Sequence, residues 1–250
     1  MIILKSAEEI AKMRRAGRIV AATIDAVTGA VRPGLTTADL DEVAEKTILD
    51  HGATPSFKGY RGFPASLCTS VNEQVVHGIP GQKKLKQGDI LSLDFGAIWE
   101  GYNADAAVSV FIGDPPSAEA EKLVRVTEEA LEAGISQVRP GRRLSDISNA
   151  VQQVVEGAGF AVVREYVGHG VGRSLHEDPQ IPNYGPPGRG PELKPGLVVA
   201  IEPMVNMGGW ETRVLADGWT VVTADGSLSA HFEHTIAVTD EGPEILTARS

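Results

Sequence analysis

Four carboxylates stand inside or beside apolar strand-like runs. Asp94 lies in Leu91-Ser92-Leu93-Asp94-Phe95 and Asp105 in Asn103-Ala104-Asp105-Ala106-Ala107-Val108. Glu202 follows Val198-Val199-Ala200-Ile201 and precedes Pro203. Glu233 falls between Phe232 and His234, ahead of Thr235-Ile236-Ala237-Val238. A carboxylate in such surroundings is expensive to bury without a partner. Trp99-Glu100-Gly101-Tyr102 reads as a turn, which would set Asp94 and Asp105 on neighbouring strands. Like charges that close raise one pKa unless a cation lies between them. Two lone aspartates are most simply solvated strand ends. Four carboxylates in this pattern shift the reading towards a metal site.

A histidine completes the set. Val167-Gly168-His169-Gly170-Val171-Gly172-Arg173-Ser174-Leu175-His176-Glu177 carries two histidines among glycines. Glycine lets a backbone pass close to a ligand. His169 alone would read as a satisfied core histidine; its glycine setting and the carboxylates argue for a ligand. Four carboxylates and one neutral imidazole balance two divalent cations. Oxygen-rich ligand sets suit hard or borderline ions such as Mn²⁺, Fe²⁺ or Co²⁺ rather than a structural zinc. Two such ions about 3.5–4 Å apart can activate a water and polarise a carbonyl together. The chemistry implied is metal-assisted hydrolysis.

The elements that must position these groups come in two copies. Val31-Arg32-Pro33-Gly34 recurs as Val138-Arg139-Pro140-Gly141, and Leu85-Lys86-Gln87-Gly88 as Leu193-Lys194-Pro195-Gly196. The second match brings Asp94 onto Glu202. Repeats in order at nearly one offset predict two related halves, about 1–113 and 114–250. Ser6-Ala7-Glu8-Glu9 is a capping box opening a helix to about Gly29. Thr37 is expected to cap a second helix ending near Gly52; Ser117 and Ser145 are expected to open two more. Strands are predicted over Asp89–Ala97, Ala104–Ile112, Leu197–Val205, Trp219–Thr223 and Phe232–Thr239. Helices ahead of strands, twice over, indicate α+β: one curved sheet covered by helices, with a site at the junction of the halves. The Pro- and Gly-rich stretch 182–196 reads as an irregular loop.

Composition bounds the partners. The chain has 250 residues with 42% hydrophobic and 22% charged residues, ordinary for a globular protein. Its net charge is −10, which disfavours a large nucleic-acid face and attraction to an anionic membrane. The single cysteine, Cys68, forbids an internal disulfide and fits a reducing compartment. The N-terminus lacks the pattern of a signal peptide, and no apolar run approaches a membrane span. The expectation is a cytoplasmic protein and, in the absence of an oligomerising segment, a monomer. Lys83-Lys84-Leu85-Lys86 reads as a solvated loop, His51 and His231 as structural or solvated, and His234 as supportive.

The motifs around these residues resemble the type I methionine aminopeptidases of the pita-bread metallopeptidase family, over nearly the whole chain. They are Gly168-His169-Gly170-Val171-Gly172, Ile201-Glu202-Pro203-Met204 and Phe232-Glu233-His234-Thr235, together with Asp94 and Asp105. Asn72-Glu73-Gln74-Val75-Val76-His77-Gly78-Ile79-Pro80 and Asp217-Gly218-Trp219-Thr220 resemble the methionine branch rather than its proline-directed relatives. Those relatives usually carry a further N-terminal domain, for which this chain has no room.

The resemblance implies a pseudo-twofold α+β fold forming one catalytic domain over 1–250. It implies Asp94, Asp105, His169, Glu202 and Glu233 as ligands of two divalent ions, of cobalt, manganese or iron. Glu202 would also shuttle a proton. His77 and His176 would assist beside the metals, His176 at the scissile carbonyl and its oxyanion. Tyr60, Phe63, Cys68 and Trp219 would line the methionine pocket. Their alternative reading is ordinary core, and Cys68 has no base or partner that would make it a nucleophile. The implied substrates are N-terminal methionine peptides and nascent chains with a small second residue, with a transient ribosome contact. Leu175, Phe63 and Ala106 depart from the commoner residues of the family. An Xaa-Pro peptidase and a non-catalytic binding protein on the same scaffold are the competing readings; the second predicts lost ligands, and all five stand.

Overall fold

The computed structural model describes residues 1–249. In chain order the elements are α1 (Ala7–Ala30), α2 (Thr37–Asp50), β1 (Thr54–Pro55), β2 (Leu67–Val71), β3 (Gln74–Val76), β4 (Ile90–Trp99) and β5 (Tyr102–Phe111). Then come α3 (Ala118–Ser136), α4 (Leu144–Gly157), β6 (Ala161–Val162), β7 (Gly168–Gly170), β8 (Glu177–Ile181), β9 (Val198–Ile201) and β10 (Met204–Asn206). The chain closes with β11 (Thr212–Val214), β12 (Val221–Thr223), β13 (Ser229–His231), β14 (Glu233–Thr239) and β15 (Gly242–Ile245). A helix pair precedes the main strands in each half, as the repeat predicts.

One nine-stranded sheet runs through both halves in the order β1-β4-β5-β14-β9-β7-β8, with β2 on β4 and β15 on β14. Its pairings are antiparallel. The halves meet where β5 pairs with β14. The hairpin β4–β5 turns at Glu100-Gly101, both at positive φ, with Trp99 opposite Tyr102. Alternation then sorts the side chains. Leu91, Leu93, Phe95, Ala104, Ala106, Val199, Ile201 and Ile236 join one apolar cluster with residues from all four helices. The opposite face of the same strands carries Asp94, Asp105 and Glu233.

Four local expectations need correction. Thr36, not Thr37, caps α2: its hydroxyl accepts the Asp39 amide, while Thr37 is buried and bonded to Gly81. α4 begins at Leu144, one residue before Ser145. There the Asp146 carboxylate accepts the Arg143 amide, and Ser145 instead accepts the amide of Arg189 at 2.7 Å, tying down the 182–196 loop. The Leu197–Val205 strand breaks at Glu202-Pro203, since proline has no amide to continue a ladder. β9 stays in the large sheet while β10 joins β13 and β6. Trp219 lies in a turn, and its strand starts at Val221. No helix among the described residues is long and apolar enough to cross a membrane.

Candidate active site

Register assembles the cluster. Asp94 pairs with Ala107, and Ala107 with Glu233, so the three stand in one row across β4, β5 and β14. Facing residues in a row project from the same side of the sheet. Asp105, two residues before Ala107, projects from that side too. The Ala107 methyl between Asp94 and Glu233 leaves the row open. On the next strands, His234 pairs with Ile201, which sets Glu202 beside Glu233 at the end of β9. His169 pairs with Ala200, two residues before Glu202. Five strand positions from both halves therefore converge on one side.

The contacts bear this out. His169 Nε2 lies 3.5 Å from Asp105 Oδ2 and 3.5 Å from Glu202 Oε1. Donor atoms of Asp105, His169 and Glu233 fall within 4.8 Å of one another. The His169 Nδ1 is 3.0 Å from the Gly170 carbonyl, which can only accept. Nδ1 therefore carries the proton, and Nε2 turns its lone pair to the carboxylates. A Cβ on Gly168 would overlap the Ala200 carbonyl oxygen, and one on Gly170 the Asp178 carbonyl oxygen. Glycine on both sides of His169 is what lets β7 fit between β9 and β8.

Thr235 escaped the sequence reading. It stands two residues after Glu233, on the same face, and its hydroxyl sits 2.8 Å from Asp105 Oδ1 and accepts the Asp105 amide. Strand alternation could have found it. Asn183 likewise donates to the Glu202 carbonyl at 2.9 Å and props the end of β9.

Electrostatics shows what the cluster demands. Burial, then the charge of Asp105, pushes Asp94 well above the usual carboxylate range. Burial does the same to Glu202 and Glu233, with Asp105 the first of their charged neighbours. Burial lifts Asp105 to about 6 despite its bond to Thr235. His169 is lowered to about 4 by burial and stays neutral. Asp94 Oδ1 is buried with no hydrogen bond from the protein. A crowd of desolvated carboxylates, a neutral imidazole lone pair and an orphaned oxygen fit divalent cations. Cation binding must displace the protons that the carboxylates otherwise hold. Titrating Mn²⁺ into metal-free protein at pH 7, in buffers of different ionisation enthalpy, is expected to show net proton release that shrinks as pH rises. Absence of release would mean that the carboxylates are charged without a cation.

A cavity of about 150 Å³ opens beside the cluster. All eleven site residues singled out from the sequence line it, joined by Phe57, Arg61 and Leu175. Its apolar wall is Phe57, Phe63, Cys68 and Leu175 packed with Tyr60 and Trp219. Phe63 and Trp219 meet edge to face with centroids 5.1 Å apart. Asp217 holds Trp219 in place by accepting its amide and that of Thr220. Cys68 faces Asp94 across β2 and β4, and burial keeps its thiol protonated.

The two assisting histidines flank the cavity. His176 lies 4.1 Å from His169, centroid to centroid. The Tyr60 hydroxyl is 2.9 Å from His176 Nδ1; a neutral ring accepting that proton carries its own on Nε2. Burial lowers His77 and His176 to about 4. His77 holds φ +59, a left-handed backbone unusual for histidine, and its ring contacts Tyr166 and Trp219. Residues kept in such conformations cluster at functional sites.

The sequence profile of metallopeptidase family M24 matches residues 11–240. The chain belongs to that family. Its M24 membership makes it a hydrolase of peptides that works with divalent metal. A methionine aminopeptidase of Clostridium perfringens is 58% identical over 247 residues, covering 99% of each chain. Methionine aminopeptidase 1 of Bacillus subtilis is 57% identical, again over 99% of each. The solved methionine aminopeptidase of Thermotoga maritima superposes with a TM-score of 0.98 at 50% identity, covering both chains fully. The prolidase of Pyrococcus furiosus shares the fold, with a TM-score of 0.79 at 21% identity over 99% of this chain and 66% of its own. The pseudo-twofold M24 architecture is thus common to both branches, and substrate must be argued from the pocket.

Proposed function

We propose that the chain is a metal-dependent methionine aminopeptidase that removes initiator methionine from nascent or newly made proteins with a small second residue. The observation that carries this is one apolar cavity, walled by Phe63, Cys68, Leu175 and Trp219, opening directly onto the carboxylate–imidazole cluster. A long, unbranched, polarizable side chain suits such a wall. The high identity to methionine aminopeptidases over whole chains supports the same substrate.

In this reading Asp94, Asp105, His169, Glu202 and Glu233 hold two divalent ions of manganese, iron or cobalt. When bound, such ions supply Lewis acidity and an acidified water. Glu202 takes the proton of the attacking water and returns it to the leaving amine. His176 donates its Nε2 proton to the scissile carbonyl as negative charge develops there. His77 contacts the amino group that is released. The pocket wall orients the methionine and excludes water. Every residue comes from one chain, so residues 1–250 act as one catalytic unit and a monomer suffices. The buried single thiol suits the cytoplasm, where new chains leave the ribosome.

The test is hydrolysis of Met-Gly-Met, Pro-Gly-Met, Leu-Gly-Met and Ala-Pro by Mn²⁺-loaded protein. The expected result is cleavage of the methionine peptide with kcat/KM at least about 100-fold above the others, since pocket fit of an apolar side chain is worth roughly that much. Cleavage of Ala-Pro instead would move the chain to the proline-directed branch. Cleavage of none, with metal bound, would mark a binding protein.

A further inference from the structure

Residues 171–176 join β7 to β8 without regular structure, yet they carry His176. Buried polar groups tie both ends of this loop. At its start, the Asn103 side-chain amide donates to the Gly172 and Arg173 carbonyls at 3.1 Å each. The Asn103 backbone amide adds a 2.8 Å bond to Gly172. The Ser56 hydroxyl donates to Asn103 Oδ1 at 2.9 Å, so both amide hydrogens point to the loop. At its end, Lys5 Nζ lies 2.7 Å from Glu177 Oε2, with the two side chains only 3% and 10% exposed. Glu177 Oε1 accepts the Ser174 amide at 3.2 Å. A Cβ on Gly172 would overlap Glu177 Oε1 and come within 2.7 Å of Lys5 Cε, so glycine there makes room for the pair.

A buried ion pair is a poor source of net stability, because desolvation offsets the attraction. What it does supply is a fixed carboxylate, here on the residue next to His176. Lys5 precedes α1, and its amide is itself anchored on the Gly196 carbonyl at 2.7 Å. The His176 loop is thereby referred to a rigid part of the molecule at both ends, while Tyr60 orients the ring. We propose that Lys5, through its buried pair with Glu177, and Asn103, through the Gly172 and Arg173 carbonyls, are positioning residues that hold His176 over the carboxylate cluster. The proposal rests on the reading of His176 as the donor to the developing oxyanion.

The test is steady-state hydrolysis of Met-Gly-Met by the Mn²⁺-loaded enzyme. The variants are Asn103→Leu and the paired Lys5→Met with Glu177→Leu, each made in the wild-type and the His176→Ala backgrounds. The paired change removes both charges together, so no lone charge is left buried, and it carries the test if Asn103→Leu does not fold. In the wild-type background kcat is expected to fall about 10–100-fold, as misplacement by an ångström can cause, with KM within about threefold. In the His176→Ala background the same changes should cost no further kcat, because residues acting through one group are not additive. Unchanged kcat, or an equal loss in both backgrounds, overturns the proposal and makes the clamps structural only. If His176→Ala itself leaves kcat intact, the proposal falls together with the role of His176. A wild-type enzyme inactive on methionine peptides would instead sink the proposed substrate.

Discussion

Asp105→Asn is expected to lose more than about 100-fold in cation affinity, beyond what second-layer changes around a metal cost, and essentially all peptidase activity. Asp105 shares the cluster with His169 and Glu233, its Oδ2 3.5 Å from His169 and its Oδ1 bonded to Thr235. Asparagine keeps the shape and the Thr235 contact but removes the charge. The same change should stabilise the metal-free protein. Asp105 raises the proton affinity of Asp94, Glu202 and Glu233, so removing its charge relieves repulsion that protonation or a cation otherwise relieves. Each kcal/mol relieved should raise Tm by about 2–4 °C in a chain of this size. Calorimetry of metal-free and Mn²⁺-loaded forms checks both halves. The variant should melt higher without metal and gain little from it. A variant that binds Mn²⁺ as tightly as the native protein would remove Asp105 from the site.

Glu202→Gln tests proton transfer at Mn²⁺ concentrations high enough to fill the site despite the lost ligand charge. Glu202 directly follows β9 where Pro203 breaks the ladder, so its side chain reaches the cluster from the end of an interior strand rather than from within a ladder. The largely buried carboxyl sits 3.5 Å from His169, inside the cluster, where a carboxylate can take and return a proton. Glutamine keeps an oxygen and loses the base. The expected result is a fall of about 10²–10⁴-fold in kcat, with Met-Gly-Met binding changed far less. Rapid-quench kinetics at saturating Mn²⁺ would show the loss in the chemical step. A loss confined to KM would assign Glu202 to binding and leave the proton shuttle to another group.

Much of the site was legible because it obeys short-range rules. Asp94 and Asp105 could be paired since a Glu100-Gly101 turn and strict alternation place them on one face. His169 was visible through the glycines around it, whose reason is the close approach of the Ala200 and Asp178 carbonyls. The repeat brought Asp94 onto Glu202, and the structure sets them on β4 and at the end of β9, flanking the central strands β5 and β14. His77 and the pocket wall depended on resemblance to known peptidases, because a turn histidine and a few aromatics carry no distinctive spacing. Other features were hidden by distance along the chain. Lys5 meets Glu177, and Ser56 meets Asn103, which in turn meets Gly172, only through the tertiary fold. Helix starts differ from the sequence expectation where tertiary contacts claim the obvious cap. Thr37 is taken by Gly81 and Ser145 by Arg189. The apolar run continues through Glu202 and Pro203 while its hydrogen-bond ladder changes sheets, so the strand is shorter than the run implies.

The most direct measurement is the initial rate of Met-Gly-Met hydrolysis by chelator-stripped protein against added equivalents of Mn²⁺, under anaerobic conditions and at protein concentrations well above Kd. The expected result is no rate in the stripped protein, a rise on the first equivalent, and saturation by the second. Full activity in protein shown by elemental analysis to contain no metal would contradict it.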